Sequence, residues 1–290
     1  MTRGYILIAQ NTNDVNYLRL AYALALSIKT TQRENSICLC VDDRTSDNLL
    51  EEHDKIFDYI LDIPWIDNAK DSEWKIENKW KYINMSPYDE TIILDTDQLF
   101  VESVDHWWDM LAASDHDVLL CTNPRTFRDQ HITSDFYRKK FTSCDLPDVY
   151  SNFTYFNKSE MSYKFFNLVE NIILNWKLYY DEFLNDDGQD WVSADVAYAL
   201  AAKILGSDKF ISDQSFPSFV HMKSYVQNIK DKNISPKWQN TLSSNVSDDL
   251  KITVQNFSQT LPFHYVEKDW LTDEIIRKYE DVYDTQYKNS

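Results

Sequence analysis

One stretch limits what this chain can fold into more than any other: Thr91-Ile92-Ile93-Leu94-Asp95-Thr96-Asp97-Gln98-Leu99-Phe100. A short β-branched and apolar run, led in by Tyr88-Asp89-Glu90, ends in two carboxylates two positions apart. Such a run predicts a strand buried on both faces, the kind found in parallel sheets covered by helices. Side chains repeat with period two along a strand, so Asp95 and Asp97 can point the same way. Ligands of open α/β sheets lie beyond the carboxyl ends of the strands, where this pair falls. Two carboxylates aimed at one point repel unless a cation lies between them. Hard divalent ions take oxygen ligands and bridge to phosphate. The pair therefore points to a metal–diphosphate site, although an Asp-x-Asp triplet without its position reads equally as a solvated turn. Asp115-His116-Asp117 shows the contrast. It precedes the apolar run Val118–Cys121, at the wrong end of a strand for a site, and reads as a turn.

The rest of the chain alternates in the same α/β manner. Tyr5 to Ala9 reads as a first strand, followed by the polar loop Gln10-Asn11-Thr12-Asn13-Asp14 and a helix from about Asn16 to Lys29. Leu18, Ala21, Tyr22, Ala25 and Ile28 mark one face of that helix. Strand Ile37–Val41, ending in Asp42-Asp43, a helix over Ser46–Lys55 and a strand over Tyr59–Ile63 follow, then a helix over Lys79–Met85. Beyond the central strand, Val104–Ala113 reads as a helix, Val118–Cys121 and Tyr150–Phe156 as strands, and Met161–Tyr180 as a long amphipathic helix. Ser193 caps a helix that stops at Gly206. Past Phe216 come His221-Met222-Lys223, a polar segment over 228–249, strand-like Leu250–Val254, the aromatic stretch Pro262–Trp270 and a closing helix over Thr272–Asp284. The polar segment reads either as a flap or as a plain surface loop. No repeat, linker or low-complexity tract divides the 290 residues, so we expect one domain. Its parts are an opening α/β half over 1–100 of the nucleotide-binding kind, a second part over 101–215, and a tail over 216–290.

Composition excludes several functions. A net charge of −18, from 47 acidic and 29 basic residues, disfavours a nonspecific nucleic-acid or anionic-membrane binder, which needs a basic face. Only three glycines occur, Gly4, Gly188 and Gly206. Neither G-x-G-x-x-G nor a P-loop can be written from them, so any phosphate must be held by metal, lysine or arginine. Cys38, Cys40, Cys121 and Cys144 give no C-x-x-C and no zinc spacing, and read as small core residues. No apolar run reaches the length of a membrane span, and Tyr5–Ala9 is too short for a signal segment. We expect a reduced, cytoplasmic setting, in which the N-x-S/T triplets at Asn152, Asn157, Asn245 and Asn256 carry no glycan.

Several of these features together resemble the GT-A nucleotide-sugar glycosyltransferases. The likeness is to the retaining group of glycogenin and the bacterial lipopolysaccharide galactosyltransferases, glycosyltransferase family 8. It spans roughly residues 5–270. Its most specific part runs from Lys79-Trp80-Lys81-Tyr82 through Tyr88 to Ile92-Ile93-Leu94-Asp95-Thr96-Asp97. The opening strand, Asn-rich loop, Tyr17 and the helix carrying Ala25-Leu26-Ser27-Ile28 are a second match. His264 with Lys268 and Trp270 is similar to the family's closing His…Lys-Pro-Trp signature. The family's glycine after that histidine is missing here, and Asp269 stands at its proline. Tyr150-Ser151-Asn152 lies where the family has Asn-Ser-Gly.

The resemblance implies a GT-A, Rossmann-like fold, with a mixed, mostly parallel sheet flanked by helices and a tail folded back over the site: 1–100 would be the nucleotide-binding half, 101–215 the acceptor half, and 216–290 the tail that closes the donor site. It also implies a nucleotide-sugar donor, by family habit a UDP-sugar, transferred with retention to an unidentified saccharide, glycan or protein acceptor. A divalent cation, Mn²⁺ or alternatively Mg²⁺, is implied at Asp95, Asp97 and His264. An imidazole ligand suits Mn²⁺ better than Mg²⁺. Lys268 and Lys79 are implied as point charges toward the diphosphate and the sugar. Asp195, at a helix start, is the candidate near the reacting centre. Ala9, Asn11, Tyr17, Asp42 and Thr96 complete the donor contacts. Each also has a structural reading: His264 as a packed core histidine with His221 as rival ligand, Lys79 as a surface lysine, Tyr17 as a core tyrosine, Asp42 as a turn residue, and Asp195 as an acid stabilised by a helix N-terminus. Two other functions remain in contrast. One is an inactive GT-A-like sugar- or nucleotide-binding protein. The other is a phosphatase of the haloacid dehalogenase type, whose D-x-D-x-T would need Thr where Leu99 stands.

Overall fold

A computed structural model describes residues 1–73, 75–132, 138–184, 191–212, 216–227 and 237–287. Its first half is a run of strands and helices: β1 (Arg3–Ala9), α1 (Tyr17–Thr31), β2 (Ile37–Val41), α2 (Asp43–Ser46), α3 (Glu51–Ile56), β3 (Tyr59–Asp62). A 3₁₀ turn over Lys79–Lys81 then leads into α4 (Tyr82–Met85) and β4 (Glu90–Leu94). After β4 come β5 (Gln98–Leu99), α5 (His106–Ala112), β6 (Val118–Cys121), α6 (Lys139–Ser143), β7 (Tyr150–Asn157), α7 (Glu160–Leu174), α8 (Trp176–Leu184) and α9 (Ala194–Leu205). The tail adds β8 (Val220–His221), β9 (Ser244–Val246), β10 (Ile252–Val254), β11 (Phe257–Ser258), β12 (Phe263–His264) and α10 (Asp273–Tyr287).

The central sheet has six strands in the order β3-β2-β1-β4-β7-β6. β3, β2, β1 and β4 run parallel, and β7 is antiparallel to both β4 and β6. Strand order reverses between β1 and β4, and a crevice opens at their carboxyl ends. Period-two alternation builds the two sides of the core. Tyr5, Leu7, Ala9, Leu39, Ile92 and Leu94 face α1 and the tail, while Ile6, Cys38, Cys40 and Ile93 face α7 and α9. Ile92, Ile93 and Leu94 are at most 1 % exposed. Burying each contributes roughly 1.5–3 kcal/mol, which anchors the turn that follows them.

Two helices differ from their sequence patterns. The expected helix over Ser46–Lys55 is two short ones, because the Asp42 side chain caps a new turn by accepting from Thr45 N at 2.9 Å. The long helix breaks at Asn175 (φ −122°, ψ 31°), which separates α7 from α8. The strand expected from Leu250 begins at Ile252, since Leu250 takes φ +63° in the turn before it. Of the polar segment 228–249, residues 228–236 lie outside the described ones.

A second, three-stranded sheet, β5-β12-β8, joins the turn after β4 to the tail. His264 pairs with Gln98 on one side and His221 on the other. The tail is pinned by aromatic packing. Trp270 lies 5.1–5.9 Å, ring centre to ring centre, from Tyr265, Phe263 and Trp238, and Trp238 Nε1 donates to Tyr265 O at 2.7 Å. Such ring pairs add about 0.5–1.5 kcal/mol each beyond burial.

Candidate active site

The crevice is a cleft of about 740 Å³, lined among others by Gln10, Tyr17, Lys79, Asp95, Thr96, Asp97, Asp195, His264 and Lys268. β4 ends at Leu94, and the next three residues turn before β5 begins. Buried Gln98 shapes that turn: its Nε2 donates to Asp95 O at 3.2 Å and to Asn152 O at 3.0 Å. Asp95 Oδ1 accepts from Lys79 Nζ at 2.6 Å, and Asp97 Oδ2 accepts from Lys268 Nζ at 2.7 Å. His264 Nε2 is 3.1 Å from the same Asp97 oxygen. Burial alone would raise the Asp97 pKa. The charges of Lys268 and His264 outweigh it and hold this carboxyl well below its ordinary value. Burial works against the Lys268 ammonium too, and the Asp97 charge reverses the result, leaving the Lys268 pKa raised.

The tail delivers His264 and Lys268 through backbone pairing. Tyr265 N donates to Asp97 O at 3.1 Å, and the chain then turns at Val266 with φ +63°. Val266 O accepts a second bond from Lys268 Nζ at 2.8 Å. The rival histidine sits alongside: His221 Nδ1 is 3.1 Å from His264 Nδ1. Burial, followed by the neighbouring charges of His264, Lys223 and Arg138, pushes the His221 pKa well below its ordinary value.

Asp195 forms the opposite wall, in the first turn of α9 behind the Ser193 cap. Its Oδ1 accepts from Ser151 N at 2.8 Å and Ser151 Oγ at 2.7 Å, and its Oδ2 faces Arg138 at 3.4 Å. Arg138 is buried, stacked over the rings of Phe141 and Tyr150 at 3.8 and 3.9 Å, and paired with Asp148 at 2.9 Å. Neighbouring Asn152 brings Nδ2 to 3.3 Å from His264 Nδ1. Adjacent residues of β7 thus hold the two walls, Ser151 that of Asp195 and Asn152 that of His264.

Three residues expected at the donor do not line the cleft. Ala9 is wholly buried in the core. Asn11 braces the loop after β1: its Oδ1 accepts from Leu18 N at 3.0 Å, and its N–H donates to Thr45 Oγ1 at 2.7 Å. Asp42 is the α2 cap already described. Gln10 takes that corner instead, tied to Asp67, Asn78 and Asp42 by side-chain hydrogen bonds. Sequence reading also missed Arg138, Lys223 and Glu267. Ser151 and Asn152 were marked only by their position where the family has Asn-Ser-Gly, without a role.

The donors suit a divalent ion in kind, two carboxylates and an imidazole. Two ligands side by side on one ion, with bonds of about 2.1 Å, stand roughly 3 Å apart, close to the separation of Asp97 Oδ2 and His264 Nε2. Asn152 Oδ1 is buried without a partner. Interchanging its amide ends turns that oxygen toward His264 Nδ1, 3.3 Å away, where it no longer opposes a hydrogen on Nδ1, and leaves Nε2 free for an ion. As the side chains stand, no three His, Cys, Asp or Glu groups among the described residues close on one point, because Asp95 is held by Lys79.

No family model and no curated protein matches the sequence. Solved structures do match in fold. The galactosyltransferase LgtC, solved with donor and acceptor sugar analogs, superposes with a TM-score of 0.54 at 12% identity, over 97% of this chain and 95% of its own. The apo-form glycosyltransferase GlyE of Streptococcus pneumoniae TIGR4 gives a TM-score of 0.51 at 10% identity, over 100% of this chain. The chain spans 64% of the GlyE length. The architecture is that of the GT-A glycosyltransferases. No described helix is long and apolar enough to cross a membrane.

Proposed function

We propose that the chain is a metal-dependent glycosyltransferase that takes its sugar from a nucleotide-sugar donor, a UDP-sugar, and transfers it with retention. The observation that carries this reading is the meeting of the Asp95-Thr96-Asp97 turn with His264 and Lys268 in one cleft, facing Asp195, at the carboxyl ends of β1 and β4. Asp95, Asp97 and His264 would hold Mn²⁺ or Mg²⁺. When bound, such an ion stabilises negative charge growing on the departing diphosphate. Lys268, a fixed cation in the cleft, is placed to exchange Asp97 for the diphosphate, and Lys79 to exchange Asp95 for the sugar side. Tyr17 lines the same cleft beneath these charges, and its ring offers a stacking face to the base. Asp195, oriented by Ser151 and Arg138, is the carboxylate beside the sugar. Retention is supported by the resemblance to the retaining group.

Nucleotide release from a panel of UDP- and GDP-sugars, with Mn²⁺, with Mg²⁺ and with EDTA, tests this. Slow, Mn²⁺-dependent hydrolysis of one UDP-sugar is the expected result. One observation favours a second reading, a nucleotide-sugar-binding protein without turnover: Lys79 and Lys268 already neutralise both carboxylates. Tight UDP binding with no release in any condition would select it.

A further inference from the structure

His221 is buried and lines the cleft, while the imidazole that meets Asp97 is that of His264, at 3.1 Å. What it touches is the back of the His264 ring, Nδ1 to Nδ1, at 3.1 Å. Two ring nitrogens at that separation hold one hydrogen between them. Two N–H groups would repel, as would two lone pairs, so one ring donates and the other accepts. The pairing is imposed by the backbone. His264 lies opposite His221 in the β12–β8 register, and Met222 N donates to His264 O at 3.0 Å. The rings of Tyr150 and Phe219 pack edge-on against His221 at 5.6 and 5.8 Å. Turning either imidazole away would open the packing behind the cleft.

The next step rests on the metal reading above. The His264 nitrogen that faces Asp97 is Nε2. An imidazole bound to an ion through Nε2 carries its hydrogen on Nδ1, and the acceptor for that hydrogen fixes tautomer and aim. We propose that His221 is the positioning residue for His264. Its Nδ1 accepts the hydrogen bond from His264 Nδ1–H, so that Nε2 presents a lone pair to the ion held with Asp97. His221 is then not a rival ligand but the support of the ligand, with its own hydrogen on Nε2. Asn152 lies at 3.3 Å from the same Nδ1, against 3.1 Å for His221; with its amide ends interchanged, its Oδ1 is the longer, secondary acceptor of that hydrogen and His221 the primary one.

The test uses the full chain with saturating UDP, titrated with Mn²⁺ while free aqueous Mn²⁺ is followed by electron paramagnetic resonance. His221→Asn keeps an acceptor near the former Nδ1. His221→Phe keeps a ring and removes the acceptor. His221→Gln, whose amide reaches toward the Nε2 position, replaces Phe if that variant does not fold. The expected result is a Mn²⁺ affinity about 10–100-fold weaker for Phe or Gln, with Asn within a few-fold of wild type. Ring ¹⁵N–¹H correlation spectra, assigned with His264→Asn, give the second readout. One Nδ1 of the pair should be hydrogen-bearing and the other not, and the His264 Nδ1 shift should move in His221→Phe. Unchanged Mn²⁺ affinity together with unmoved His264 shifts would overturn the proposal. If the wild type takes up no Mn²⁺, the metal reading fails by itself. The ring spectra then decide the pairing: a moved His264 Nδ1 sustains it and an unmoved one overturns it.

Discussion

Asp195 takes its hydrogen bonds from groups 44 and 57 positions away in the chain, Ser151 and Arg138. Arg138→Met removes a planar fork that serves Asp195, Asp148 and the Val149 carbonyl together. We expect donor hydrolysis to fall by at least tenfold and stability by about 2 kcal/mol. Arg138→Lys should recover the stability better than the rate, because its point charge cannot reproduce the fork. Steady-state kinetics beside urea melts check this. Cys121 supplies a pH prediction. Burial pushes its thiol up to about 12, and Sγ donates to Pro217 O at 3.1 Å. An unfolded thiol ionises near 8.5. The folded state therefore keeps a proton that the unfolded state gives up, and this stability is complete below about pH 8.5 and lost as pH rises toward 12. Each unit in that window costs about 1.4 kcal/mol, and Cys121→Ala should flatten the decline in melts between pH 8.5 and 10.5. At this scale the sequence made Asp95, Asp97, His264 and Lys268 legible, because each stands in a short motif. It could not show Arg138, nor what Ser151 does, because both roles exist only through contacts between distant positions.

Elements fail or succeed by their backbone. Gly4, in β1 beside Thr91 of β4, admits no side chain, because a Cβ there would enter the Tyr88 ring. Gly4→Ala should cost about 1–3 kcal/mol by overpacking, read as a lower urea midpoint. Shortening Tyr88 to Leu in the same chain should recover part of it. Val266 is the opposite case, a β-branched residue held at φ +63° between His264 and Lys268. That conformation costs roughly 1–2 kcal/mol. Val266→Asn, which tolerates it, should raise stability by about 1 kcal/mol in a thermal melt while leaving the Lys268–Asp97 pair in place. The chain thus makes a left-handed turn after His264 without a glycine, under strain at Val266. β1, β2 and β4 were legible because buried strands announce themselves as apolar runs. The two-residue strands β5, β8 and β12 were not, since pairs of residues carry no periodicity.

At the level of the whole molecule, a net charge of −18 surrounds a cleft that holds Lys75, Lys79, Lys223 and Lys268. A dianionic nucleotide enters such a cleft only when its charge is met there, so UDP and Mn²⁺ should stabilise together. At a hundred times Kd the gain is about 2.7 kcal/mol, several degrees in a thermal melt, removed by EDTA and absent in Asp97→Asn. An equal shift with UDP in EDTA would favour the metal-free binding reading. The α/β class was legible from strand–helix alternation, whereas the order β3-β2-β1-β4-β7-β6, with its antiparallel β7, follows from packing that no local pattern encodes. Lys268 meets Asp97 across 171 positions. During translation at about 5–20 residues per second, the acidic turn waits roughly 9–34 s for its partners to be made. A nascent chain therefore carries an acidic turn that still lacks its tail, and the cleft is incomplete until His264 and Lys268 have been synthesised.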